Sequence, residues 1–198
     1  MSSATRNRCS GPAYHEAGHA VVAMLKGRRF RHATIVPDDG DGSLGHVYFR
    51  VLRAFDPEIW SAGDWVLDDG RKAKRLDDEV CILVAGMAAE AIYTGRRNWR
   101  GAHSDYRAAV NLASYRFRGW NDAITAYLRW QAAEAERLMT QNPLNWKWVQ
   151  AVAKRLIREK TLTEANVRQT LRSLSQCTFP ETVAKSVAKQ PTKHPPAT

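Results

Sequence analysis

Apolar residues recur at helical spacing in six segments, which together cover most of the chain. The first of these segments stops just before Gly27, and glycine commonly ends helices because it accepts a left-handed backbone conformation. In the last segment, Thr163 is placed to cap the helix. The predicted helices are Pro12–Lys26, Asp77–Gly95, Asp105–Phe117, Asp122–Thr140, Pro143–Glu159 and Leu162–Leu174.

Two short β-prone runs, 32–36 and 45–49, lie between the first and second helices. The Pro, Asp and Gly residues between the runs predict a turn, so the runs predict a β-ribbon or small sheet. Residues 50–76 show no sustained periodicity of apolar positions, and we expect irregular structure there with one short helix. The sequence therefore predicts a mainly α fold with a small β-ribbon or sheet.

One domain of residues 1–178 accommodates all of these elements, since 198 residues are enough for one well-buried core. After it, residues 179–198 contain Pro, Lys, Ala and Thr with almost no large apolar side chain. Such a composition buries too little surface to offset the entropy of folding. We expect these residues to form a disordered basic tail.

The bulk composition excludes several classes of protein. The longest uncharged run in the middle of the chain, 80–89, is about half of the ~20 residues that a membrane-spanning helix needs. No secretory signal is visible at the N-terminus, so we expect a cytoplasmic protein without a membrane span. The three cysteines form no CxxC pair, which argues against a cysteine zinc site. Any metal ligands are then His and carboxylate side chains.

A formal net charge of +10 is the unusual bulk property. A basic balance of this kind is typical of proteins that bind nucleic acid, an acidic membrane surface or an acidic partner. No nucleic-acid motif accompanies the charge, so solvated basic faces are the favoured interpretation. An acidic partner stays open, and nucleic acid is the less favoured partner.

The stretch AYHEAGHAVVAML, Ala13–Leu25, carries two histidines four residues apart. On a helix these positions share one face, with Cβ atoms about 5–6 Å apart, so His15 and His19 can aim at one ion. Glu16 is rotated roughly a third of a turn from His15 and can stand beside the metal without ligating it. Small residues at 17 and 18 leave room for another segment to approach. The spacing predicts a zinc hydrolase with Glu16 as general base.

The alternative is a buried helix whose histidines bond to backbone carbonyls. A catalytic zinc needs a third protein ligand, and the candidates are Glu90, His103, Asp105 and His46. Asp105 follows a loop at a helix start, although an acidic residue there is also common because it favours the helix dipole. Glu90 lies on a helix that is otherwise apolar, so it needs a partner and is either a ligand or a group that bonds a ligand histidine.

Several separated stretches resemble the peptidase domain of the FtsH-type ATP-dependent zinc proteases, peptidase family M41. AYHEAGHAVVA is similar to the metal helix of that family, and TIVP with LGHVYF is similar to its strand pair. LVAGMAAEAIYTG and GAHSDYRAAVNLA resemble its second and third helices, and AVAKRLIREKTLTEANVRQTL resembles its closing helices. The resemblance spans most of residues 14–174 and keeps their order.

This resemblance implies a zinc metalloendopeptidase that hydrolyses unfolded or flexible polypeptides. It selects Asp105 as the third zinc ligand beside His15 and His19, and it gives Glu90 a supporting role near the metal. It also implies that the strand segment Leu44, Gly45, His46 and Val47 receives substrate as an added extended strand, held by main-chain hydrogen bonds.

Family members carry an ATPase module and a membrane anchor ahead of the peptidase domain. This sequence contains no GxxxxGK[ST] phosphate loop, so we expect a peptidase that acts alone or with a separate ATPase. A rival hypothesis is a non-enzymatic adaptor or regulator that keeps the fold and binds a protein or nucleic-acid partner through its basic faces. A nucleic-acid-binding protein with a structural zinc is the least favoured, because structural zinc sites are usually rich in cysteine.

Overall fold

The computed structural model describes residues 10–37, 45–50, 70–96 and 103–178. Within these ranges helices dominate and a three-stranded sheet accompanies them, which confirms the predicted fold class. In chain order the elements are α1 Ser10–Leu25, β1 Phe30–Thr34, β2 His46–Phe49, α2 Gly70–Thr94, α3 His103–Phe117, α4 Asn121–Thr140, α5 Pro143–Glu159, β3 Thr161–Thr163 and α6 Glu164–Thr178. None of the helices in the described ranges combines the length and the hydrophobicity that crossing a bilayer requires.

Helix α1 lies at the centre of the structure, because twelve of its sixteen residues are buried. It packs mainly against α2 and α5. A methyl group on Gly18 would lie 2.6 Å from the carbonyl oxygen of Ala85 and 2.5 Å from the Cβ of Ala89, so only glycine allows the backbones of α1 and α2 to approach this closely. The expectation that small residues on α1 admit a neighbouring segment is confirmed at Gly18.

The core extends from α1 through the other five helices and includes buried residues of all three strands. Fully burying a side chain of the size of Leu, Ile or Phe contributes about 1.5–3 kcal/mol relative to leaving it exposed. These contacts fix the position of α1, which carries the HEAGH stretch. The largest fully buried apolar side chains are Phe30, Leu76, Ile82, Met139, Leu156 and Leu162.

The sheet is antiparallel, with strand order β2-β1-β3. Thr34 of β1 is opposite His46 of β2 at one end of this pair, and Phe30 is opposite Phe49 at the other. The register shifts between Phe30 and His32, which marks an irregularity in β1. The predicted strand pair is confirmed, and β2 is an edge strand of the sheet formed by the described residues.

The predicted start of the second helix was wrong. Helix α2 begins at Gly70 and not at Asp77, so the acidic residues 77–79 lie inside the helix. Arg, Lys, Ala and Leu fill residues 71–76, and all of them are good helix formers. A bridge of 2.5 Å from Lys74 to Asp78 and complete burial of Leu76 join this extension to the helix body. The expected irregular structure is therefore absent from 70–76, and residues 51–69 lie outside the described residues.

One further boundary and one strand differ from the prediction. Helix α3 begins at His103, two residues before the predicted start at Asp105. The third strand was missed because three residues are too short to show an alternating pattern; Leu162 of β3 is buried opposite Ala33 of β1. The expected cap of α6 is confirmed, since the Thr163 hydroxyl accepts from the Asn166 amide at 3.2 Å.

Both predicted glycine stops are confirmed. Gly27 follows α1 with φ +71°, and Gly95 follows α2 with the same φ. Helices α4 and α5 match their predicted ranges within one residue. The expected tail, 179–198, lies outside the described residues.

Candidate metal centre

His15 and His19 lie one helical turn apart on α1, and both are buried. Their ring centroids are 4.8 Å apart, and the rings meet edge to face at 70°. The spacing of four residues places both imidazoles on the face of α1 that looks toward α2 and α3. This face therefore offers two ring nitrogens at one place.

Asp105, in the first turn of α3, brings a carboxylate to the two imidazoles. Its Oδ2 atom is 3.0 Å from Nε2 of His15 and 3.2 Å from Nε2 of His19. One ligand atom from each of the three side chains lies within 4.8 Å of the others. They form the one potential metal-binding group of three or more His, Cys, Asp and Glu side chains among the described residues.

The other ring nitrogen of each histidine has its own partner. Nδ1 of His19 donates to the main-chain carbonyl oxygen of Ile82 at 2.7 Å. Since a carbonyl oxygen only accepts, Nδ1 carries the hydrogen, which leaves Nε2 as the ring nitrogen able to ligate a metal. Nδ1 of His15 lies 3.3 Å from Oε2 of Glu90. These two contacts orient both rings with Nε2 toward Asp105.

Glu16 is buried beside the histidines, and the start of β2 closes over it. A methyl group on Gly45 would lie 2.9 Å from Oε1 of Glu16 and 2.8 Å from the carbonyl oxygen of Thr34. The absence of a side chain at Gly45 thus lets the strand run against the Glu16 carboxylate. Burial raises the pKa of Glu16 to about 7, against the opposing effect of the two histidines.

Gly86 of α2 lies directly against the imidazoles. A methyl group there would overlap with Nε2 of His19 and would lie 2.6 Å from Nε2 of His15. Glycine inside a helix costs about 1 kcal/mol relative to alanine, so its presence in the middle of α2 has a packing reason. Because Gly86 has no side chain, α2 leaves space for both imidazole rings.

Three carboxylates and two imidazoles give this site an excess of negative charge. Burial lowers the pKa of His15, but hydrogen bonds to Asp105 and Glu90 outweigh burial and raise that pKa to about 10. Burial raises the pKa of Asp105, but His19 and His15 outweigh it and hold that pKa far below its usual range. Surroundings that favour a proton on an imidazole also favour a metal cation at the same nitrogen.

The donor set fits zinc. Zn–N and Zn–O bonds of about 2.0–2.1 Å in a tetrahedral site put neighbouring ligand atoms roughly 3.3 Å apart. The distances of 3.0 and 3.2 Å from Asp105 to the two Nε2 atoms are close to this value. Two imidazoles and one carboxylate leave a fourth position for solvent, which is the arrangement of catalytic zinc.

The other candidate residues suggested by the sequence lie elsewhere. His103 is exposed at the start of α3. His46 is exposed on β2, with its ring centroid 4.7 Å from that of Tyr48. Val47 is buried in the sheet, and Leu44 lies outside the described residues. Neither His46 nor His103 belongs to the group of potential ligands around His15 and His19.

Sequence reasoning missed two contributors to this centre. The sequence offers a clue to the role of Gly86, because a lone glycine in the apolar run VCILVAGMAA is unfavourable unless packing requires it. The sequence offers no clue to the Ile82 carbonyl, because every residue has a main-chain carbonyl group. Only the packing of α2 on α1 brings this one to His19.

Comparison with known proteins gives two relatives, each named ATP-dependent zinc metalloprotease FtsH. The chain is 35% identical over 114 residues to the protein of Thermus thermophilus, and 31% identical over 111 residues to that of Caulobacter vibrioides. Each match covers 54% of this chain and 15% of the relative's length. No family model matches the chain. Over about half its length, then, the chain is similar to zinc metalloproteases.

Proposed function

We propose that this protein is a zinc-dependent endopeptidase. The observation that carries the proposal is the convergence of His15, His19 and Asp105, whose ligand atoms lie within 4.8 Å of one another beside the buried Glu16. The similarity to proteins named zinc metalloprotease supports it. Two imidazoles one helical turn apart with an intervening glutamate are the arrangement that metal-assisted peptide hydrolysis uses.

His15 and His19 would hold zinc through their Nε2 atoms, and Asp105 would hold it through Oδ2. A bound zinc ion supplies Lewis acidity, which polarises a peptide carbonyl and makes water easier to deprotonate. Glu90 and the Ile82 carbonyl keep the Nδ1 atoms engaged, so both rings present Nε2.

Glu16 is the general base of the proposed reaction. Its carboxylate takes a proton from the attacking water as the water oxygen forms a bond to the peptide carbonyl carbon. The same carboxyl group then gives that proton to the nitrogen of the leaving amine as the C–N bond breaks. Contact with the start of β2 at Gly45 limits where the Glu16 side chain can point.

Strand β2 would bind the substrate. In the described sheet β1 covers one edge of β2, and the other edge has no neighbouring strand. An extended polypeptide could pair with the main chain of residues 45–47. This segment begins at Gly45, which contacts Glu16. Leu44 would extend this binding segment at its start. Main-chain pairing favours unfolded or flexible polypeptides, delivered freely or by a separate ATPase.

Hydrolysis of a fluorescent casein derivative, measured beside zinc content, tests this function. We expect about one zinc per chain, loss of activity with a chelator and recovery when zinc is added back. Glu16→Gln should lower kcat by at least about 100-fold while zinc stays bound, because a general base contributes about 10²–10⁴-fold.

Glu136→Gln, an exposed carboxylate change on α4, is the matched control and should keep full activity. A protein that binds no zinc, or a Glu16→Gln variant as active as its parent, would defeat the proposal. Zinc binding without any hydrolysis would instead favour the non-enzymatic adaptor.

A further inference from the structure

A cleft distinct from the candidate metal centre lies between the sheet and α6. Its volume is about 540 Å³, and its described lining residues include five arginines and one glutamate, a formal balance of +4. Two of the arginines come from β1 or the residue before it, one follows β2 and two come from α6. These arginines are Arg29, Arg31, Arg50, Arg168 and Arg172.

Glu164, the first residue of α6, holds two of the arginines in place. Its side chain is 7% exposed and accepts from Arg29 at 2.6 Å and from Arg168 at 2.7 Å. Both guanidinium groups stay partly exposed while Glu164 orients them. One carboxylate thus balances only one of the two positive charges.

Arg31, Arg50 and Arg172 have no acidic partner among the described residues. All three are exposed at the cleft. Like charges gathered around one concave surface repel one another and raise the local concentration of anions. The cleft is therefore suited to a ligand that brings several negative charges.

The cleft is separate from the metal centre. Thr34 pairs with His46 at the end of the ribbon near Glu16, whereas Phe30 pairs with Phe49 at the cleft end. Phe30 and Thr34 lie four residue steps apart on β1, which is about 13 Å at 3.3 Å per residue. A ligand in the cleft would leave the space around His15 and His19 open.

The lining chemistry distinguishes between classes of anion. All five cationic side chains of the described lining are arginine, whose planar fork pairs bidentately with carboxylates and phosphates. Single-stranded nucleic acids are usually held by exposed aromatic side chains on which the bases stack. Phe30 of β1, the aromatic residue of the described lining, is fully buried. A single compact cleft also differs from the extended basic stripe that follows a phosphate backbone.

We propose that this arginine cleft docks an acidic polypeptide segment, rich in Asp or Glu, whose carboxylates pair with Arg31, Arg50 and Arg172. The cleft would serve as a recognition site on the same sheet as the proposed substrate strand. This inference concerns binding and stands whether or not the metal centre hydrolyses peptides.

Fluorescence anisotropy with a labelled octaglutamate peptide, at low and at physiological salt, tests the inference on the full chain. The variant with Arg31→Gln, Arg50→Gln and Arg172→Gln should raise the Kd about tenfold or more, because it removes three charge-assisted hydrogen-bonding groups. A control with the same loss of charge carries Arg129→Gln, Lys147→Gln and Lys154→Gln, exposed residues of α4 and α5. Its Kd should stay within about twofold of the parent.

A second variant changes the same three cleft arginines to lysine, which keeps the charge and removes the fork. We expect the lysine variant to raise the Kd several-fold. It tests the inference if the glutamine variant does not fold. Equal weakening by the cleft and control variants would overturn the inference, because net charge alone would explain binding. Tighter binding of a single-stranded RNA or of inorganic polyphosphate than of octaglutamate would overturn the assignment to polypeptide.

Discussion

Gly86 of α2 lies so close to His19 of α1 that any side chain at position 86 would occupy the space of the imidazole ring. The same is true for the neighbouring His15 ring. The candidate metal centre therefore depends on a helix that supplies no ligand, because α2 must bring its backbone to within the width of a methyl group of the rings.

Gly86→Ala is expected to disturb the metal centre. The added methyl group must push both imidazoles away from Asp105 or separate α1 from α2, and overpacking of this kind costs about 1–3 kcal/mol. Thermal unfolding with and without zinc should show a lower Tm and a smaller stabilisation by the metal. Gly70→Ala is the matched control, because nothing lies within 4 Å of a methyl group there. An unchanged zinc affinity in Gly86→Ala would contradict this account of Gly86.

Glu90→Gln is expected to weaken zinc binding without removing it. The change keeps a side chain of the same size near Nδ1 of His15 but takes away the negative charge, and partners of ligand histidines typically contribute about 10–100-fold to metal affinity. Competition with a fluorescent zinc chelator measures the change. Glu136→Gln serves again as the control. If Glu90→Gln binds zinc as tightly as the parent, Glu90 does not support the metal centre through His15.

Gly45→Ala is expected to lower activity while zinc stays bound. Its methyl group would meet Glu16 at 2.9 Å and Thr34 at 2.8 Å, so either the base or the strand must move. Misplacing a general base by a fraction of an ångström reduces the rate of the chemical step. We expect kcat for casein hydrolysis to fall at least about tenfold, with zinc content measured in the same samples. Loss of zinc together with activity would show that Gly45 acts on the ligands instead.

Glu164 is expected to make stability depend on pH below neutrality. Burial raises its pKa, but the bonds to Arg29 and Arg168 outweigh burial and lower the pKa below its unfolded value of about 4.5. Its contribution to folding is therefore present above about pH 4.5 and is lost as the pH falls through the lower folded value. Both arginines are partly exposed, so we expect Glu164→Gln to cost only about 1 kcal/mol at pH 7.

Urea unfolding of the parent and of Glu164→Gln between pH 3 and 7 measures this contribution. The difference between their unfolding free energies should narrow toward pH 3. A difference that stays constant over this range would mean that Glu164 stabilises α6 through packing alone. Glu136→Gln, exposed on α4, provides the baseline for removing one carboxylate.

Cys81 is expected to resist thiol reagents in the folded protein. The side chain is fully buried in α2, and burial raises the pKa of its thiol to about 12. The reactive thiolate is then scarce at neutral pH, and reagents cannot reach the sulfur. Alkylation followed by peptide mapping should label Cys81 only when the protein is unfolded in urea. Rapid labelling of the native protein would show that α2 opens locally.

Local sequence patterns were enough to predict the helices, because helical periodicity and helix-end signals depend only on neighbouring residues. The range of α5 and the stops at Gly27 and Gly95 could be read from the sequence for this reason. The start of α2 at Gly70 could not be predicted from the sequence. Burial of Leu76 joins residues 70–76 to the helix, and that burial exists only in the packed structure. Strand β3 likewise exists only as a partner of β1.

For the candidate site, the HEAGH spacing alone determined that His15 and His19 share one face of α1, since helix geometry fixes that relation. Spacing left the third carboxylate open, and the resemblance selected Asp105. Only the tertiary structure decided that Asp105 approaches Nε2 of His15 while Glu90 approaches Nδ1. The physical reason is that Asp105 and Glu90 come from separate helices. Their distances to His15 are set by packing across α1, α2 and α3, which no local pattern records.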